Sequence, residues 1–123
     1  MTIDLIPPNL PLLPPEDVRI ERVSATLYPD RRRVRVEVSI TPFRERPNLE
    51  IVLRNDEGRV VASASAVAVM NFRLAFTLHL RDSADPSPDY RATVTLYYDD
   101  LQSPQDEQDA LLTDAPVAPS QSY

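Results

Sequence analysis

The sequence predicts an all-β protein, an antiparallel β-sandwich of about six to seven strands. Two observations carry this. Several segments alternate apolar and polar residues with the period of two of a half-buried strand, Tyr90 to Tyr98 among them. There, Tyr90, Ala92, Val94, Leu96 and Tyr98 share one parity and Arg91, Thr93, Thr95 and Tyr97 the other, and the remaining strands are expected to pack around this one. The punctuation agrees: between residues 18 and 98 every Pro falls in a connection and none in a strand.

The elements follow in order. Residues 1–17 hold Pro7, Pro8, Pro11, Pro14 and Pro15 among Leu5, Ile6, Leu10, Leu12 and Leu13. Proline excludes a helix or a central strand here, so an extended, polyproline-II-like arm lying against its own domain is expected. The PxxP spacing it contains is a weak pattern in any Pro-rich stretch. Val18 to Leu27 is the first strand, but its apolar residues change parity between Ile20 and Val23, which predicts a β-bulge near Glu21-Arg22. Tyr28-Pro-Asp-Arg31 reads as a type I turn. Arg33 to Ile40 is a second strand, with Val34, Val36, Val38 and Ile40 inward.

Beyond a loop bracketed by Pro42 and Pro47, Asn48 to Arg54 points Leu49, Ile51 and Leu53 inward. Asn55-Asp-Glu-Gly58 places the one Gly of the chain where a type I turn closes on a left-handed bulge residue. Val60 to Val69 follows as a strand without charge whose facing the pattern leaves undecided, and Met70-Asn71 is expected to turn the chain. Phe72 to Leu80 alternates again, and 81–89 is a polar loop before the Tyr90 strand. The sandwich is thus placed at residues 18–100. Residues 101–123 form an acidic, Pro/Ser/Gln-rich tail: Ser103-Pro104 and the acids after it predict a short helix over 104–112, with disorder beyond.

Composition narrows function by exclusion. A chain of 123 residues is one domain with a single core. Its net charge of -6 argues against a general affinity for nucleic acid or an anionic membrane, so neither is expected as a partner. Without Cys there is no disulfide framework, thiolate metal site or Cys nucleophile, which fits a reducing, cytoplasmic compartment. The N-terminus lacks a basic region followed by an apolar run, so no secretory signal is expected, and no apolar stretch reaches transmembrane length.

Leu80, the loop with Pro86 and Pro88, and then Tyr90-x-Ala-x-Val-x-Leu96 resemble the approach to strand F of immunoglobulin-like and fibronectin-III-like sandwiches. The resemblance implies that Tyr90 is a structural tyrosine corner, its hydroxyl bonding backbone upstream. The chain departs from the pattern in lacking the Cys pair and Trp, and no strand is recognisable after Tyr98. A missing last strand would leave one sheet edge unprotected.

Each chemical candidate has a plainer competitor. His79 is the single histidine and lies on an outward parity, so neither a His-based triad nor a His-rich zinc site has its members. Asp82, Asp85 and Asp89 share a loop of the kind that ligates Ca²⁺, but match no calcium-loop spacing and share an end of the sandwich with Arg31, Arg32, Arg33 and Arg59. Arg31-Arg-Arg33 with Arg35 is read as a solvated hairpin tip, with a small anionic partner as the alternative. One Gly excludes a Gly-rich phosphate loop.

The sequence therefore points to no enzyme, cofactor or metal, and to a protein-interaction or assembly module. Its partner would be another protein or a second copy, a homodimer formed by sheet-edge or sheet-face contact. The contact is placed on the uncharged segment, at Val61, Ser63, Ser65, Val67 and Val69. The competing function is a carbohydrate- or calcium-binding sandwich that uses the loops at one end.

Overall fold

The computed structural model describes residues 11–80, 86 and 89–114. Seven strands are present: β1 (Ile20–Leu27), β2 (Arg33–Ile40), β3 (Asn48–Arg54), β4 (Val60–Ala66), β5 (Arg73–His79), β6 (Arg91–Tyr97) and β7 (Asp106–Asp114). Hydrogen bonding runs in the order β4-β3-β6-β7-β1-β2-β5. The two halves of this order face each other as the layers of a sandwich, and β7 belongs to both. Its Asp106–Leu111 part pairs antiparallel with β6. Leu112, Thr113 and Asp114 then pair parallel with Ala25, Thr26 and Leu27 of β1.

The inward parities of the strands meet in one core. Val34 and Val36 of β2, Leu49, Ile51 and Leu53 of β3, and Ala92, Val94 and Leu96 of β6 are each 0% exposed. Phe72, Leu74, Phe76 and Leu80 are only half-buried. The reason is position: β5 closes one end of the strand order, so its inward side chains have a neighbour strand on one side alone.

The local punctuation matches the turn chemistry. Pairing of β1 with β2 shifts between Ile20 and Arg22, which is the bulge the parity change predicts. Arg31 N–H donates to the Tyr28 carbonyl at 2.9 Å, closing the turn that Pro29 initiates. Gly58 N–H donates to the Asn55 carbonyl at 3.0 Å, and Gly58 has φ 81°, a conformation that a side chain would strain even with open space around it. The arm docks where it is described: Leu13 N–H donates to Pro42, and Arg44 N–H donates back to Leu13. Beside them Phe43 meets Phe72 edge-on at 4.7 Å. Leu5, Ile6 and Leu10 lie outside the described residues, as does 115–123.

Two expectations are corrected. Residues 104–112 do not form a helix; 106–114 are strand β7. Ser103 and its neighbours belong to the preceding turn, where Ser103 N–H donates to the Asp100 carbonyl and Gln102 N–H to the Asp100 carboxylate. The inward parity of β7 reads Asp106, Gln108, Ala110, Leu112, and its first two members are polar because they bond backbone across the seam between layers. Asp106 Oδ2 accepts from Ile20 N–H at 2.8 Å, and Gln108 Nε2 donates to the Ile20 carbonyl at 3.1 Å. These side chains replace a strand ladder where β1 and β7 have not yet come together. The sandwich therefore extends to Asp114, and β6 is no edge.

The second correction shortens the uncharged strand. β4 ends at Ala66, and the chain turns at Val67-Ala68, not at Met70-Asn71. Ala68 takes φ 51°, a costly choice for Ala. It is held there by Asn48, whose Oδ1 accepts from Ala68 N–H at 2.8 Å, while Val69 N–H donates to Pro47 at 2.9 Å.

Candidate functional site

The residues placed on the uncharged segment separate in the structure. Val61 and Val69 are 8% and 5% exposed and belong to the core. Ser63 and Ser65 lie exposed on β4, and Val67 is 77% exposed just beyond it. The interface expectation thus narrows to Ser63, Ser65 and Val67. β4 stands at one end of the strand order and carries no charge, whereas β5 at the other end carries Arg73 and His79. The described part of the arm pairs with residues 42–44 and not with β4.

Tyr90 is 5% exposed immediately before β6, and its carbonyl accepts from Leu112 N–H at 3.0 Å. It therefore ties the start of β6 to β7 and to the core. His79 is exposed at the end of β5, in register with Arg33. Asp82 and Asp85 lie outside the described residues; Asp89 is exposed. Among the described residues no three His, Cys, Asp or Glu side chains are grouped to hold a metal ion. No helix among them is long and apolar enough to cross a membrane.

The arginines at the β1–β2 hairpin are engaged locally. Arg33 lies 4.4 Å over the Tyr28 ring and donates to Asp30 at 2.9 Å. Arg35 pairs with Glu37 at 2.8 Å, and Arg31 reaches the Pro86 carbonyl at 2.8 Å. Hydrogen bonds from Thr77 and Arg35 hold the Tyr28 phenol below its usual pKa, overcoming a small desolvation. Glu37 in turn raises the Arg35 pKa. Tyr98, just beyond β6, is the opposite case: burial, aided by the charge of Glu45, pushes it up to about 12. Phe43 is buried and Tyr28 lies under Arg33, so neither presents an open aromatic face.

The outer faces of the two layers are the remaining surfaces, and register defines them. On β1-β2-β5, Arg22, Ser39 and Arg73 stand side by side in one cross-strand row, with Ser24, Glu37 and Ala75 in the next. These residues line an open groove of about 540 Å³. On β4-β3-β6-β7 the corresponding row is Ser65, Glu50, Thr95 and Glu107, followed by Ser63, Val52, Thr93 and Asp109. Ser65 Oγ donates to Glu50 at 2.6 Å, Thr95 Oγ1 to Glu107 at 3.0 Å, and Arg91 to Asp109 at 3.4 Å. Sequence reading missed both rows, although every member sits on an outward parity of its strand or of unrecognised β7. Strand order, which no single strand encodes, is what brings them together.

No family model matches this chain, and no curated protein matches it in sequence. Solved structures do share its fold. A β-glucuronidase from Bifidobacterium dentium, solved with coumarin-3-O-glucuronide, matches 80% of this chain with a TM-score of 0.61 and 17% identity. A glycosyl hydrolase family 2 member from Bacteroides cellulosilyticus matches 78% with a TM-score of 0.55 and 15% identity. This chain covers only 18% and 15% of those two chains, so the likeness is to one part of much longer proteins.

Proposed function

We propose that this chain is a non-enzymatic interaction or assembly module, an immunoglobulin-like sandwich that joins a protein partner or a second copy through the β4 edge. The observation that carries this reading is the composition of β4: at the end of the strand order, from Val60 to Ala66, it has no charge or proline, and no strand pairs with its outer side among the described residues. An edge strand offers unpaired N–H and C=O groups, and natural sheets blunt such edges with charge, proline or a bulge. A strand with none of these beyond its first residues is suited to pairing with another chain. The solved relatives support a part played within something larger, since each carries the same architecture as a fraction of its length.

The test places charge on the edge without touching the core. Ser63 and Val67 are both exposed, and Ser65 is left alone because it bonds Glu50. Ser63→Arg with Val67→Arg should leave the melting temperature close to that of the parent. Solution mass by light scattering in 1 M NaCl should fall to that of one chain. A variant that stays oligomeric in 1 M NaCl with both arginines in place would overturn the edge contact.

A further inference from the structure

Two charged rows on opposite faces of this molecule have the same geometry and opposite sign. Arg22, Ser39 and Arg73 occupy three adjacent strands, β1, β2 and β5, in register. Glu50, Thr95 and Glu107 occupy three adjacent strands, β3, β6 and β7, also in register. Each row is therefore two long charged side chains flanking one short hydroxyl residue. With strands spaced about 4.8 Å apart, both charged pairs are separated by roughly 10 Å at their Cα atoms.

The rows differ in how they are held. Arg33, Arg35 and Arg91 each have a carboxylate partner, but Arg22 and Arg73 have none among the described residues. The nearest acid in the groove, Glu37, is already held by Arg35 at 2.8 Å. On the other face the two carboxylates are oriented by hydroxyl donors, which leave their charge and their remaining lone pairs free. The cationic Arg91 lies about 13 Å along β6 from Thr95 and is bonded to Asp109. Both rows are thus locally uniform in sign.

We infer that the Arg22–Ser39–Arg73 row is a docking site for the Glu50–Thr95–Glu107 row of a second copy of this chain. The matched sign and spacing select this partner. The guanidinium forks meet the two carboxylates, and the short Ser39 and Thr95 let the long side chains close over them. This contact is separate from the β4 edge. Because donor and acceptor faces lie on opposite layers, the association is head-to-tail: each copy added presents a fresh face. Two exposed pairs make it weak and sensitive to salt, since screening shortens from about 10 Å at 0.1 M to about 3 Å at 1 M.

The experiment uses the full chain carrying Val67→Arg alone, which weakens the edge contact without adding a cation to the face that holds Glu50. Sedimentation at low salt should show an average mass that rises with concentration without a dimer plateau, and 1 M NaCl should abolish the rise. Arg22→Glu with Arg73→Glu gives a chain acidic on both faces; Glu50→Arg with Glu107→Arg gives one basic on both. Each should remain monomeric alone, and an equimolar mixture should associate. The neutral versions, Arg22→Gln with Arg73→Gln and Glu50→Gln with Glu107→Gln, disturb folding least and should weaken association on the order of tenfold. A monomeric background at low salt, or association that survives in the reversed variants alone, refutes the inference. So does a mixture of folded reversed variants that fails to associate.

Discussion

The outer faces of the two layers carry similar residue types and treat charge differently. On β3-β6-β7, Glu50, Glu107 and Asp109 each accept from a neighbouring side chain, so the face is built as a hydrogen-bonded lattice. On β1-β2-β5, the ion pair of Arg35 with Glu37 lies on the strand between those of Arg22 and Arg73, which have no such partner among the described residues. The burial differs too: Thr95 is 8% exposed beneath its neighbours, whereas Ser39 is only half-buried. The first face spends its polar groups on the fold. The second leaves two cations without an ion pair among the described residues.

If that contrast is right, substitutions at the seam and on the β3-β6-β7 face should cost stability, and those on the β1-β2-β5 face should not. The largest effect belongs to the seam where β7 leaves one layer for the other. Asp106→Ala leaves Ile20 N–H, a part-buried donor, without its acceptor, and should cost about 1–3 kcal/mol by chemical denaturation. Next, Thr95→Val keeps the shape and removes the bond to Glu107. It should cost about 1 kcal/mol, and Ser39→Ala in the same assay less than half of that. Equal losses for the two hydroxyls would erase the contrast.

The phenols test the local environments by titration. Tyr28 should ionise below its usual pKa of 10 and Tyr98 near 12, read as the tyrosinate absorbance lost in Tyr28→Phe and in Tyr98→Phe. The signs for stability are opposite. The raised pKa of Tyr98 means that the folded chain holds its proton longer, so its contribution is complete below pH 10 and lost as pH rises through 12. The lowered pKa of Tyr28 gives a contribution present above pH 10 and lost as pH falls through its folded value. Tyr98→Phe should therefore flatten the alkaline loss of stability, and Tyr28→Phe should steepen it.

The same contrast explains what could be read in the sequence. Four strands, β2, β3, β5 and β6, were legible because their inward positions are apolar at a strict period of two, as in Val34, Val36, Val38 and Ile40. Strand β1 showed it with one change of parity, and β4 only as an uncharged, Val-rich run. The bulge beside Arg22 was legible as a parity change, and the Gly58 turn as chemistry. β7 was not, since Asp106 and Gln108 occupy inward positions as hydrogen-bonding groups and break the apolar alternation. Ser103-Pro104 then supplied a helix signal that belongs to a turn. The burial of Val69 was hidden as well, because it depends on Asn48 and Pro47 capturing the chain after β4. The charged rows were the least visible: each joins three strands, and outward parity shows a face without showing its neighbours.

The smallest expected effect is the most discriminating. Arg22→Gln with Arg73→Gln removes two exposed cations that make no ion pair or hydrogen bond among the described residues, so folding has nothing specific to lose. Surface changes of this kind fall within about 0.5 kcal/mol of zero. The two cations share one row, and their mutual repulsion is relieved by the change, while the net charge of -6 becomes two units more negative and opposes compaction slightly. These terms oppose one another, which keeps the net change small. At low concentration, where the chain is dissociated, the denaturation midpoint should be indistinguishable from that of the parent. A loss above about 1 kcal/mol there would mean that Arg22 and Arg73 belong to the fold, and the face would then have no cations left over.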